Sequence, residues 1–125
     1  MKLRLAFVAL LAGSCAVPQP REPTRPPVEL AGRTAGAPQR CVSVEQSEAL
    51  RTSDTNRHVL VYGSGRTVWA NQLGSSCGFG RDDVLVTEPF GSSHCRGDIV
   101  RSLDRYSRIP GPSCILGDWV PYRRS

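Results

Sequence analysis

Apolar and polar positions divide the chain into three textures. Leu5–Leu11 is an unbroken apolar run, residues 16–40 hold almost no large apolar side chain, and from Cys41 onward short β-rich runs alternate with turn residues. The third texture predicts strands. His58-Val59-Leu60-Val61-Tyr62 and Thr67-Val68-Trp69-Ala70-Asn71 are two such runs, and Gly63-Ser64-Gly65-Arg66 between them reads as a hairpin connection. Asp83-Val84-Leu85-Val86-Thr87, ended by Pro89, predicts a third strand, and Asp98–Leu103 a fourth. Ile109-Pro110-Gly111-Pro112 reads as a loop leading into a last strand, Cys114–Val120, closed by Pro121. Residues 42–50 fit a short strand running into a helical turn, and the pattern leaves both open. About five or six short antiparallel strands separated by turn signals predict a small all-β barrel or sandwich. No internal repeat is visible.

The N-terminal texture reads as a secretion signal. Met1-Lys2-Leu3-Arg4 supplies positive charge, Leu5–Leu11 the apolar stretch, and Ala12-Gly13-Ser14-Cys15 a run of small residues ending in a thiol. A membrane-spanning helix needs ~20 apolar residues, so this stretch is too short to stay in the bilayer. Leu11-Ala12-Gly13-Ser14-Cys15 resembles the bacterial lipobox, whose cysteine is acylated and becomes the new N-terminus. Ala12 departs from the leucine commonest at that position. The competing expectation is cleavage shortly after Ala16 by the general signal peptidase, giving a soluble secreted or periplasmic protein. Acyl chains on Cys15 would hold the mature protein on the membrane, each buried methylene contributing ~0.8 kcal/mol. By resemblance to other lipoproteins, Ala16 in place of aspartate implies sorting to the outer membrane.

Residues 16–40 read as a tether. Pro18, Pro20, Pro23, Pro26, Pro27 and Pro38 stand among polar and small residues, and such a segment buries too little surface to offset the entropy of ordering it. The domain organisation predicted is thus signal 1–15, disordered tether 16–40 and β domain 41–125.

Charge changes the picture mainly by exclusion. Residues 41–125 hold ten arginines against nine acidic residues, so the basic character of the chain belongs largely to its N-terminal part. Arginines and acids alternate, as in Arg81-Asp82-Asp83, where a nucleic-acid binder needs cations clustered on one face. No nucleic-acid partner is expected.

Export implies an oxidising compartment, where paired cysteines are usually disulfides. With Cys15 assigned to acylation, Cys41, Cys77, Cys95 and Cys114 remain, an even set with three possible pairings. If the strands run up and down in order, Cys77 and Cys114 fall at one end of the sheet, with Cys41 and Cys95 at the other. The expected pairs are Cys77–Cys114 and Cys41–Cys95.

Several of these features also carry a family resemblance. They are Cys41 opening the domain, Val68-Trp69-Ala70-Asn71-Gln72-Leu73 followed by Cys77-Gly78, Cys95-Arg96-Gly97-Asp98, and Gly111-Pro112-Ser113-Cys114-Ile115-Leu116-Gly117 with Trp119 and Pro121. Over residues 41–121 the chain resembles a family of small exported Gram-negative proteins known only as a domain of unknown function. The resemblance implies export and a four-cysteine framework, and no activity.

Candidate chemistry is sparse. Zinc needs closely spaced ligand pairs, and no Cys-x-x-Cys occurs near His94-Cys95. Gly63-Ser64-Gly65 is shorter than a nucleophile elbow and reads as the hairpin turn. His58 and His94 read as solvated surface residues. Asp82 and Asp83 would face opposite sides of a strand, and Gly78-Phe79-Gly80 lacks the following helix that a phosphate loop needs. Tyr62, Trp69, Trp119 and Tyr122 read first as core, and second as an aromatic patch for a partner or glycan. The sequence therefore favours a non-enzymatic envelope lipoprotein with a structural or interaction role and no cofactor. Its partners would be the membrane, through its lipid, and an envelope protein. The alternative is a small-ligand binder or enzyme with a pocket near His94 or Asp98.

Overall fold

The computed structural model describes residues 13–15, 25–88 and 91–125. Among them the β-rich runs pair antiparallel throughout. Ten strands form: β1 (Arg33–Ala35), β2 (Cys41–Ser43), β3 (Arg51–Thr52), β4 (Val59–Tyr62), β5 (Thr67–Gln72), β6 (Val84–Thr87), β7 (Ser93–Cys95), β8 (Ile99–Leu103), β9 (Pro110–Ile115) and β10 (Trp119–Arg124). They make a five-stranded sheet ordered β1-β10-β5-β4-β3, a three-stranded sheet β6-β8-β9 and a ribbon β2-β7. The all-β expectation holds, with no closed barrel. Beyond the five strands expected from residue 58 onward, β1, β2, β3 and β7 are two to three residues long, too short to leave an alternating signature, and the tenth arises because the expected last strand divides into β9 and β10.

The core explains the layering. Leu60 and Tyr62 of β4 face a cluster with Trp119, Leu116, Val100, Cys114, Phe79 and Val42, so the five-stranded sheet, the three-stranded sheet and the ribbon share one interior. Val59 and Val61 point the other way, into a second cluster with Val68 and Ala70. Every residue of β4 is buried because both faces of its sheet are covered.

Leu30, from the 3-10 turn Val28–Leu30, helps cover that second face. This corrects the extent of the tether. Residues 25–40 are held against the domain: β1 pairs with β10, and Gln39 bridges to Trp119. Leu30, with only Val28 near it in a proline-rich stretch, gave no sign that a sheet face awaited it. Residues 16–24 of the expected tether, and 1–12 of the expected signal, lie outside the described residues, as does Pro89 beyond β6.

The β4–β5 hairpin turns at Gly63, whose φ of 88° suits a residue without Cβ. The last strand departs from expectation. Residues 110–112, read as a loop, begin β9, and the chain breaks after Ile115 to start β10 at Trp119. Buried Asn71 explains the break. Its amide donates to the Gly117 carbonyl and its carbonyl accepts the Gly117 N–H, both at 2.8 Å, taking the place of a strand neighbour. Pro121 does not close the strand but lies inside it, opposite Trp69. Its carbonyl accepts the Gly36 N–H, and β1 ends at Ala35, so the missing proline donor falls where the neighbouring strand has run out.

Candidate functional site

Both expected disulfides form, Cys41–Cys95 and Cys77–Cys114, while Cys15 is exposed and outside either pair. The route to that pairing is not the simple meander. Cys41 and Cys95 are direct cross-strand partners in the β2–β7 ribbon, and Cys77 joins the segment after β5 to β9 of the other sheet. One cross-link therefore fastens the β2–β7 ribbon internally and the other ties the segment after β5 to the three-stranded sheet, constraints that a small domain with a modest core can use.

His94 is corrected from solvated loop to core. It lies in β7 opposite Val42, almost fully buried, with its ring edge-on to Tyr62 at 5.7 Å. Burial lowers its pKa below the ordinary histidine value, against the opposing charge of Asp98. Its Nδ1 has no hydrogen-bond partner among the described residues, nor has Nε1 of the fully buried Trp119. Asp98 uses a carboxylate oxygen to accept the Cys95 N–H at 2.8 Å. Neither His94 nor Asp98 lines any of the three principal grooves.

The remaining candidates hold structural positions. Ser64 donates to Glu48 in the hairpin turn. Asp83 accepts the Gly80 N–H, and the Asp82 carbonyl accepts from Arg105. His58 is half-buried with Nδ1 2.6 Å from the Cys77 carbonyl; since a carbonyl only accepts, Nδ1 carries the proton. Tyr62 and Trp119 are core, and half-buried Trp69 and Tyr122 pack against the two clusters. Among the described residues no group of three or more His, Cys, Asp or Glu side chains is placed to hold a metal. No helix there is long and apolar enough to cross a membrane.

Two surfaces stand out, and neither was singled out from the sequence. The first is the outer face of β6-β8-β9. Register places Val84 beside Leu103, Val86 beside Arg101, and Ile99 beside Ile115, all on one side. Val84 is 42%, Val86 39%, Ile99 50% and Ile115 66% exposed. Their alternate neighbours Leu85, Val100, Ser102 and Cys114 point inward. Reading residues 84–87 with a period of two would have shown both sides of that strand to be apolar, a pattern that asks for cover on both.

The second surface is a groove of about 670 Å³ between residues 53–58 and 79–81, with Arg25 at its rim. Here the N-terminal segment is clamped to the β3–β4 connection. Glu29 accepts from the Ser53 hydroxyl and the Asp54 N–H, Thr55 donates to the Pro26 carbonyl and accepts the Val28 N–H, and Asn56 donates to the Arg25 carbonyl. Burial alone would raise the Glu29 pKa. The donors from Asp54 and Ser53, its own backbone and the charge of Arg51 outweigh it and hold the carboxyl below its ordinary value. A smaller groove of about 390 Å³ lies beside Tyr62 and Trp69, with Glu45 and Glu48 on its wall.

No family model matches the chain, and comparison with curated proteins and with solved structures returns no match either.

Proposed function

We propose that this chain is an envelope lipoprotein, acylated on Cys15, whose β domain is a non-enzymatic module docking a partner protein on the outer face of β6-β8-β9. Membership of the small exported Gram-negative family of unknown function, and an outer-membrane address, belong to the same proposal. The observation that carries the docking role is the row of exposed Val84, Val86, Ile99 and Ile115 on one sheet face. Aliphatic groups gathered on one face of a small domain lose free energy to water at ~25 cal/mol per Å² until something covers them.

Arg101 sits among them and makes no ion pair among the described residues. The complementary partner surface is therefore aliphatic with a carboxylate set opposite Arg101. A second copy fits poorly, because a two-fold interface centred on this face would bring two Arg101 guanidinium groups together. The ligand-binding alternative near His94 or Asp98 loses support: one is buried in the core and the other spends its carboxylate on a backbone turn.

A photo-crosslinking residue placed at Ile115 in intact envelopes tests the docking role. A discrete adduct is expected from that position, lost on Arg101→Glu, with none from position 123. Absence of any adduct at 115, or an adduct insensitive to Arg101→Glu, would sink it. The intact mass of the mature protein reads the acyl chains on Cys15 independently.

A further inference from the structure

We infer that the groove between residues 53–58 and 79–81 is a binding site for a phosphate-type oxyanion, read by Arg25, Arg57 and Arg81. The three arginines come from three distant chain segments and line one concavity. Against them stands one carboxylate on the groove wall, Asp54, whose contact with Arg81 is long at 3.8 Å and largely exposed on both sides. Arg25 and Arg57 form no ion pair among the described residues. Glu29, just behind the wall, has both carboxylate oxygens engaged by Ser53 and Asp54.

Two of the three arginines are also held in place, Arg25 by its backbone and Arg57 by its side chain. The Asn56 side chain ties down the Arg25 backbone at 3.0 Å. Arg57 lies flat across Gly78, where a Cβ would come within 2.7 Å of its Nε and 3.2 Å of its Cγ. Beneath them Ser53, Asn56 and Phe79 are buried and form a fixed floor. Guanidinium forks match the spacing of phosphate oxygens and bind them through paired charge-assisted hydrogen bonds. Three forks exceed what a single carboxylate uses and suit a group with more oxygens and more charge. The volume is several times that of one phosphate, leaving room for the glycerol or sugar that carries it.

Two sources share this chemistry, a soluble phosphate ester and the headgroup of an anionic lipid. The second rests on the lipid-anchored reading. Arg25 follows Cys15 by ten positions, and a chain extends at most ~3.6 Å per residue, so an acylated Cys15 keeps the groove within roughly 36 Å of the bilayer surface.

The test uses the full mature chain with Cys15→Ser, so that no acyl anchor masks lipid binding. It is titrated with inorganic phosphate and glycerol 3-phosphate by calorimetry, and with vesicles of phosphatidylglycerol or of phosphatidylcholine by co-sedimentation. Saturable phosphate binding is expected, weakened roughly tenfold or more by Arg57→Gln or Arg81→Gln. Arg57→Lys, which keeps the charge and loses the fork, should also weaken it, while Arg123→Gln should not. These side chains are exposed, and unchanged thermal unfolding verifies that each variant is folded. Arginine-sensitive binding to phosphatidylglycerol vesicles as well identifies the lipid source; binding of the soluble phosphates alone identifies the soluble one. Either supports the site. No binding of any probe, or losses equal for Arg57→Gln and Arg123→Gln, overturns it. The crosslinking at Ile115 reads a different sheet, so the two proposals fail separately.

Discussion

Val59-Leu60-Val61-Tyr62 of β4 and Val84-Leu85-Val86-Thr87 of β6 differ only in their fourth residue, yet the chain treats them in opposite ways. The first is buried at every position, with Leu60 and Tyr62 in one cluster and Val59 and Val61 in the other. The second buries no residue fully, and shows Val84 and Val86 to solvent. The difference lies outside both runs. β4 sits inside a five-stranded sheet whose far face is covered in part by Leu30, whereas β6 is the edge of a three-stranded sheet whose outer face nothing in the described chain covers. Local hydrophobicity states a demand for burial; topology decides whether the same molecule meets it.

Substitution with a charge exposes that contrast most sharply. Val61→Asp buries an unpaired carboxylate and should cost roughly 5 kcal/mol, enough to unfold a domain of this size. Val86→Asp should change stability by no more than about 0.5 kcal/mol. Urea unfolding measures both, and equal losses would mean that β6 is covered after all. The disulfides separate the regions next. Replacing Cys77 and Cys114 by serine removes up to about 4 kcal/mol through the unfolded chain. Amide exchange should then quicken more in β6, β8 and β9 than in β4 and β5; a uniform rise would erase the distinction between sheets.

A smaller effect tests the cover itself. Leu30→Ala should cost about 1–2 kcal/mol, and the loss of exchange protection should fall on Val59, Val61 and Val68. Were the core amides around Leu60 to respond equally, Leu30 would not be acting on one face alone. The smallest change is in pH. The folded pKa of His94 lies below that of the unfolded chain, so its contribution is fully present above about pH 6.5 and is lost as pH falls through the folded value. His94→Phe should flatten the stability profile below pH 6.5, and an unchanged profile would place the titration elsewhere.

How much of this was legible beforehand follows the range of the interactions. The β4–β5 hairpin was readable because its turn and both strands adjoin in sequence. The pairing of the cysteines came out as expected although the meander behind it fails: Cys114 lies beside Val100 near the start of β8, the end that Cys95 leads into, so the two pairs are not separated by sheet end. The break between β9 and β10 was not readable, since it is dictated by Asn71, distant in sequence from Gly117. His94 carried no sign of its burial, because a Gly-Ser-Ser approach reads as loop until β2 is set beside it. Nor did the arginine groove announce itself. Arg81 precedes two aspartates, and Arg25 stands among prolines. Only the clamp from Glu29, Thr55 and Asn56 brings Arg25 to the groove that Arg57 and Arg81 line.

The position of β10 bears on how the chain is made. It follows the other nine described strands in chain order, yet it lies between β1 and β5 in the largest sheet and brings Trp119 to the shared interior. Synthesis from the N-terminus delivers Cys41, Cys77, Cys95 and Cys114 before that strand arrives. Sulfur chemistry can begin while the middle of the sheet is still missing, so any early wrong bond must be undone once the final six-residue strand slots in.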